Sequence, residues 1–170
     1  LYGLKKSPHI AVFLNIFPEH LDYYRSFNEY VKAKANICLH QKRDDYLIYN
    51  AEDKIVSRLS RKSKAKKVPV RGRYLDLDRN AAKAVAKILD VPKYIVEKPI
   101  RDFSGLPHRL EPAGTFKGIT FYNDSLATIP QATIGALDTL GNKVKTLIAG
   151  GYDRGVPFET LAERIIESDI

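Results

Sequence analysis

Three short polar segments of the sequence follow apolar runs and carry side chains that could do chemistry. The first holds His20 between two acidic residues, the second spans residues 123–125, and the third is the glycine-rich stretch 149–155. Imidazole can bind a metal ion, and paired glycines let backbone N–H groups approach an anion that Arg154 could also contact. Each segment alone is more typical of an ordinary α/β loop: a hydrogen-bonded histidine, a turn with a helix cap, or Gly-Gly after a strand.

Hydrophobic patterns predict the elements that position the first segment. A buried strand is expected over residues 9–16, because the run is β-branched and aromatic and follows Pro8. A helix is expected over 27–39, a second strand over 46–49 and an amphipathic helix over 80–89. The polar loop after residue 16 then lies at the carboxyl end of a strand, where ligands bind in open α/β sheets.

A boundary is expected in the second half, in the turn-rich segment 98–107. After it the pattern predicts a hairpin around Lys117 and Gly118 and helices at 130–140 and 157–166, separated by a buried strand at 143–149. The alternating order of strands and helices predicts a parallel α/β architecture for this second half.

Composition and charge narrow the function classes. The 170 residues are 44% hydrophobic and 28% charged, which excludes a wholly disordered chain. The single cysteine, Cys38, excludes a disulfide within the chain. The net charge is +8, and eight basic residues with no acid lie between Arg58 and Arg73. Such a stripe could attract nucleic acid or an anionic membrane, but it has no aromatic residue for base stacking and is predicted to be a solvated, mobile loop.

Five motifs in order carry a resemblance to a known family. With their spacing, they resemble the Mur ligases, and within that family the D-glutamate-adding branch. The motifs are LNIFPEHLD at 14–22, YVKAKANI at 30–37, GLPHRLE at 105–111, NDSLAT at 123–128 and AGGYDRG at 149–155.

The resemblance implies an α/β fold in two parts. Residues 1–105 would be the latter part of a P-loop-type central ATPase domain, and residues 106–170 the first half of a Rossmann-like C-terminal domain. The family's P-loop would lie upstream of Leu1, so the chain is expected to be a piece of a longer protein and inactive alone. The sequence itself holds no Walker A loop and no methionine.

The family's reaction implies roles for ten residues. ATP converts a substrate carboxylate to an acyl phosphate, which the amine of an amino acid attacks, with Mg²⁺ as a cofactor. His20 is implied as a metal ligand, and Lys34 as a lysine that becomes a carbamate and then binds the metal. The residues implied to bind ATP are Arg109, Asp124, Asn123 and Asp78, and those implied to bind substrate are Thr128, Arg154, Ser125 and His108.

Two departures from the family's pattern bear on its substrates. Leu126 stands where the family has a lysine, which removes a cation from the acceptor site. The segment 72–78 aligns with the family's adenine-contacting motif but lacks both of its asparagines, with leucine at 75 and aspartate at 78.

The implied substrates are UDP-N-acetylmuramoyl-L-alanine and D-glutamate, in peptidoglycan precursor synthesis in the bacterial cytoplasm. The parent protein is expected to be a monomer without a nucleic-acid or membrane partner. One alternative is a related amide ligase of folylpolyglutamate or cyanophycin type. Another is a non-catalytic basic module that binds nucleic acid through the stripe at 58–73.

Overall fold

The computed structural model describes residues 3–19, 23–152, 155–168 and 170. The chain divides into two units, Leu1–Phe103 and Ser104–Ile170. The first contains a parallel sheet covered by helices, and the second a hairpin followed by helices. The α/β class expected from the sequence is therefore confirmed. In the described part of the chain, no helix is both long and apolar enough to cross a membrane.

The sheet of the first unit is parallel, with strands in the order β1-β2-β3. Ile10 pairs with Tyr46, which in turn pairs with Lys66, so all three strands enter the sheet at the same edge. Parallel neighbours require crossover connections, and helices α1 and α2 supply them. The bounds are β1 Ile10–Phe13, α1 Phe27–Leu39, β2 Tyr46–Asn50, α2 Lys54–Ser60 and β3 Lys66–Val70.

The sheet has a hydrophobic core on each face, because side chains alternate along the strands. Ala11, Phe13 and Leu47 pack against α1 and α2 on one face. On the other face, Ile48 and Val70 pack against helix α3 (Leu75–Ile88). The first unit therefore has three layers, as an open parallel sheet requires.

Helix α1 begins where the sequence predicts. Ser26 accepts a hydrogen bond from the Glu29 backbone N–H at 3.2 Å, and the Glu29 carboxylate accepts one from the Arg25 N–H at 2.9 Å. These contacts satisfy donors that would otherwise be orphaned at the helix start. The predicted helix over 27–39 is confirmed to the residue.

The basic stripe is not a loop, so that prediction is wrong. Residues between Arg58 and Arg73 form the end of α2, a short turn and the strand β3. Buried residues are interspersed with the cations of the stripe. Three of them, Leu59, Ala65 and Val70, pack in the hydrophobic core. Charge at exposed positions of an edge strand is common, because it discourages pairing with another chain. The turn-rich segment predicted at 98–107 is also partly helical, because its first residues belong to helix α4, Lys93–Asp102.

The second unit opens with the predicted hairpin. Strands β4 (Glu111–Phe116) and β5 (Ile119–Asn123) are antiparallel, and the turn residues Lys117 and Gly118 have φ of 49° and 80°. Two positive φ angles in a two-residue turn match the twist of the flanking strands. Helices α5 (Pro130–Leu140) and α6 (Glu159–Glu167) follow, joined by an Arg164–Asp138 ion pair at 2.8 Å.

The predicted buried strand over 143–149 is wrong. Residues 144–152 form neither helix nor strand, and Ile148 is 93% exposed. The apolar run has the pattern of a buried strand, but a strand also needs a neighbour to pair with. Among the described residues, the second unit pairs β4 with β5 and has no parallel ladder.

Candidate functional site

Two loops of the second unit are held together at the open end of the hairpin. Glu111, which begins β4, pairs with Asn123, which ends β5, so the loops before and after the hairpin are neighbours. The first loop is 108–110 and the second 123–126, and we call the pair the loop clasp. Five of the ten predicted site residues belong to the clasp, and a sixth, Thr128, lies two residues after it. The five are His108, Arg109, Asn123, Asp124 and Ser125.

Four hydrogen bonds among the described residues join the loops of the clasp, and three of them use backbone groups. The Asp124 carboxylate accepts from the Leu110 N–H at 2.9 Å, and the Leu126 N–H donates to the His108 carbonyl at 3.2 Å. The Arg109 guanidinium donates to the Leu126 carbonyl at 2.8 Å. The sequence motifs around 108 and 124 therefore form one structural unit although they lie far apart in sequence.

The first loop of the clasp has a strained backbone. His108 and Leu110 have φ of 61° and 47°, in the left-handed region that costs non-glycine residues about 1–3 kcal/mol. Hydrogen bonds from both sides offset this strain. The Glu111 carboxylate accepts from the His108 N–H at 2.8 Å, in addition to the bond between Asp124 and Leu110.

The orientation of the His108 ring is set by Asn123. The Asn123 side-chain oxygen accepts from the Ser125 N–H at 3.1 Å, which turns its amide nitrogen towards His108 Nδ1 at 2.9 Å. Because an amide NH2 group only donates, Nδ1 accepts, and the neutral ring carries its proton on Nε2. His108 is exposed, so Nε2 can act as a donor to a ligand.

The clasp brings together groups suited to an anionic ligand that carries hydroxyls. The exposed Arg109 guanidinium has five N–H donors, and its bond to Leu126 uses one of them. The half-buried Asp124 carboxylate bonds Leu110 through one oxygen, and its second oxygen can accept from a hydroxyl. Ser125 and Thr128 are exposed beside them, just before α5.

Lys34 lies in the first unit, half-buried on α1. Its Nζ sits 5.2 Å from the centre of the Tyr30 ring, a cation–π contact with a ring that is 4% exposed. His20 and Arg154 lie outside the described residues. Among the residues that are described, no group of three or more His, Cys, Asp or Glu side chains could hold a metal ion. The Lys34 ammonium cannot itself be a ligand, so Lys34 fits Mg²⁺ only as a carbamate.

Asp78 lies in the first turn of α3, exposed, and desolvation raises the pKa of its carboxyl. The loop before it is tightly built. Gly72 has φ +133°, and a Cβ there would lie 3.1 Å from the Leu77 nitrogen. The Asn80 side chain donates to the Arg71 carbonyl at 2.9 Å. Asp78 belongs to the first unit and the loop clasp to the second.

Sequence reasoning gave no role to two carboxylates that shape these sites. Glu111 lies within the motif at 105–111. Its position three residues after His108 is the sequence feature that could have indicated a carboxylate acceptor for the His108 N–H. Asp53 begins α2 by accepting from the N–H groups of Ile55 and Val56, and its other oxygen accepts from the Ile16 N–H at 3.4 Å. Asp53 also lines a mostly apolar cavity of about 410 Å³ with Ile16, Phe17, Pro18, Phe27, Lys54 and Ile55.

Comparisons with known proteins identify the family of the chain. Residues 1–91 match the family model of the Mur ligase middle domain. A UDP-N-acetylmuramoylalanine–D-glutamate ligase of Streptococcus equi subsp. zooepidemicus is 36% identical to the chain, and those of Streptococcus pyogenes serotypes M5 and M1 are 37% identical. Each alignment covers 94% of the chain but 42% of the relative, so the chain spans less than half the length of these proteins.

Proposed function

The chain belongs to the Mur ligase family, and on that premise we propose that it is part of an ATP-dependent amide ligase. The reaction is the addition of D-glutamate to UDP-N-acetylmuramoyl-L-alanine in peptidoglycan precursor synthesis. The names of the similar streptococcal proteins support this acceptor over the L-glutamate of folylpolyglutamate-type enzymes.

The loop clasp is the observation that carries the proposal. It joins Arg109, for phosphate charge, to Asp124, for ribose hydroxyls, through short contacts with Leu126 and Leu110. A nucleotide carries phosphate anions and a ribose diol in one molecule, so a clasp that holds an arginine and a carboxylate together can contact both. Strain at His108 and Leu110 is typical of sites where the backbone is held for ligand binding.

In the proposed reaction, the carboxylate of the L-alanyl group attacks the γ-phosphorus of ATP. An acyl phosphate forms and ADP leaves. The amine of D-glutamate then attacks the acyl carbon, phosphate leaves, and the amide remains after loss of a proton. Arg109 neutralises charge on the transferred phosphate, and Asp124 orients the nucleotide. Thr128 and Arg154 orient the acceptor, while His108, Asn123 and Ser125 complete the clasp.

The proposal includes a Mg²⁺ requirement, with His20 and a carbamate on Lys34 as the ligands. The ammonium group of Lys34 lies over the Tyr30 ring. Carbamate formation would turn that ammonium into an anionic group with oxygen ligands of the kind that Mg²⁺ prefers. The adenine role of Asp78 remains a prediction of the same kind, as does the P-loop of a longer parent chain.

A coupled assay of ADP release and of radiolabelled D-glutamate incorporation tests the function. Activity is expected from the gene product that contains the chain, in which the variants are measured, and not from the 170 residues alone. Asp124→Asn keeps an oxygen that can accept from the Leu110 N–H, so the fold is expected to survive. The loss of charge is expected to raise the KM for ATP about tenfold, because the free energy of one hydrogen bond to a charged group corresponds to about that change in affinity.

Asp102→Asn is the matched control, because Asp102 is exposed and contacts only the neighbouring Arg101 among the described residues. Its KM for ATP is expected to stay within twofold of the wild type. Equal KM values for both variants would contradict the role of Asp124. Incorporation of L-glutamate in preference to D-glutamate would contradict the proposed acceptor.

A further inference from the structure

The edge at which all three strands enter the sheet is strongly basic. Lys5 and Lys6 precede β1, Lys42 and Arg43 precede β2, and four further cations precede or begin β3. We call these eight side chains the basic edge, and every one of them is exposed. Its members are Lys5, Lys6, Lys42, Arg43, Arg61, Lys62, Lys64 and Lys66.

A buried glutamine fixes the loops that carry these cations. Gln41 is 2% exposed, and its amide nitrogen donates to the Pro8 carbonyl at 3.1 Å and to the Tyr46 carbonyl at 2.8 Å. Its amide oxygen accepts from the Ser63 hydroxyl at 3.1 Å. One side chain thus ties together the segments before all three strands. The basic edge is therefore an ordered surface and not a set of independent loops.

The positive charge of this surface is only partly offset within the described part of the chain. No member of the basic edge forms an ion pair with any described carboxylate. Two carboxylates, Asp44 and Asp45, lie in the loop before β2. The hydrogen bonds that Asp45 accepts from the Lys42 backbone N–H at 2.6 Å and the His9 ring at 2.9 Å lower its pKa and keep it ionised, so the two carboxylates leave six of the eight positive charges without a compensating negative charge.

The proposed ligase reaction does not account for these cations. They lie at the amino ends of parallel strands, whereas the loops after Phe13, Asn50 and Val70 lie at the carboxyl ends. A strand of five residues separates the two edges by about 13 Å. A side chain at the amino edge therefore does not share a phosphate group with the loops at the carboxyl edge.

We propose that the basic edge binds an anionic phospholipid surface. Six of its eight cations are lysines, whose compact ammonium groups on flexible stems act as point charges towards an anionic surface, whereas recognition of individual phosphates favours the planar fork of arginine. Leu4 and Leu39, which are 39% and 36% exposed, flank two of the loops and supply apolar contact with the interface. No exposed aromatic side chain lies in residues 58–73 to stack on nucleic-acid bases.

Vesicle co-sedimentation with the full chain tests the proposal, comparing phosphatidylcholine alone with a mixture containing about 30% phosphatidylglycerol. Binding is expected with the anionic vesicles and is expected to disappear when salt rises from about 50 to about 500 mM. Lys6→Gln, Lys62→Gln and Lys64→Gln together are expected to lower the partition coefficient at least about tenfold, because each lysine near the surface contributes about fivefold.

The control replaces the exposed lysines Lys83, Lys87 and Lys98, on α3 and α4, which removes the same charge away from the basic edge. Its partition coefficient is expected to fall less than about threefold. Equal losses in the two triple variants would overturn the proposal, since binding would then follow net charge alone. Absence of vesicle binding at low salt, or tighter binding to duplex DNA than to anionic vesicles, would also overturn it. Circular dichroism of each variant establishes that the fold is retained.

Discussion

The Arg109 guanidinium donates a hydrogen bond to the backbone carbonyl of Leu126, 2.8 Å away and seventeen residues further along the chain. Leu126 in turn donates its N–H to the carbonyl of His108 at 3.2 Å. The side chain that we assign to phosphate charge therefore also fixes the backbone at the position where the family carries a lysine. The residues proposed to bind the nucleotide and the acceptor therefore lie in one short stretch of the second unit.

Replacing Arg109 should loosen this clasp. Arg109→Met keeps the apolar stem and removes the donor to Leu126, so the free energy of unfolding is expected to fall by about 0.5–1.5 kcal/mol. Urea denaturation followed by circular dichroism measures it. Arg101→Met is the control, because Arg101 bonds its exposed neighbour Asp102, and its effect is expected to stay below about 0.5 kcal/mol. Equal losses would show that the bond to Leu126 contributes nothing measurable.

Gly72 is the glycine whose replacement should be most harmful in the first unit. A Cβ at this position would lie 3.1 Å from the Leu77 nitrogen and 3.2 Å from the Asp76 carbonyl carbon, with φ at +133°. Gly72→Ala is therefore expected to cost about 1–3 kcal/mol in denaturant unfolding. Gly150→Ala, where a Cβ meets nothing within 4 Å, should cost under about 0.5 kcal/mol. A Gly72→Ala protein as stable as the wild type would rule out the close approach to α3.

Cys38 should be inert in the native protein. It is 0% exposed, its thiol donates to the Ala35 carbonyl at 3.3 Å, and burial raises its pKa to about 11. The reactive thiolate therefore forms only as the pH approaches 11, well above the range where an ordinary cysteine of pKa about 8.5 reacts. Ellman's reagent at pH 8 is expected to label the thiol only after urea is added. Rapid labelling of the native chain at pH 8 would contradict the burial of Cys38.

Elements with strong local signals were predictable from the sequence. The helix at 27–39 has both an apolar periodicity and the Ser26–Glu29 capping pair, and both signals agree with the structure. The sequence pattern does not reveal strand β3, because its basic residues obscure the short alternation of Val68 and Val70. The run at 143–149 was misread because periodicity records which side chains are apolar and not whether the backbone finds a neighbour.

The residues of the loop clasp were predictable from their motifs, but their geometry was not. Counting outward from the turn at Lys117 and Gly118 would pair Glu111 with Asp124. A bulge between Pro112 and Gly114 shifts the register and pairs Glu111 with Asn123. The left-handed backbone of His108 also depends on the Glu111 carboxylate, which accepts a hydrogen bond from the His108 N–H. Residue propensities for secondary structure do not include such a contact.

The last prediction concerns acceptor choice and rests on the proposed function. Leu126 stands where the family has a lysine, and a missing charged hydrogen bond costs about 1.5–3 kcal/mol, or roughly ten- to a hundredfold in affinity. The Leu126 side chain is 44% exposed, and its backbone N–H and carbonyl make the contacts that hold the clasp. A longer polar side chain therefore fits at this position without disturbing the fold.

Leu126→Lys is accordingly expected to lower the KM for D-glutamate about tenfold and to leave the KM for ATP within about twofold, because the new ammonium reaches the acceptor carboxylates and the nucleotide contacts are unchanged. Steady-state kinetics of the gene product that contains the chain measure both constants, with neutral D-amino acids as competing acceptors. Ile119→Lys adds the same charge at a 61% exposed position beside the hairpin turn, so it separates a local effect from a general gain in positive charge. If the control lowers the KM for D-glutamate equally, or if the wild type prefers a neutral acceptor, position 126 does not contact the acceptor carboxylates.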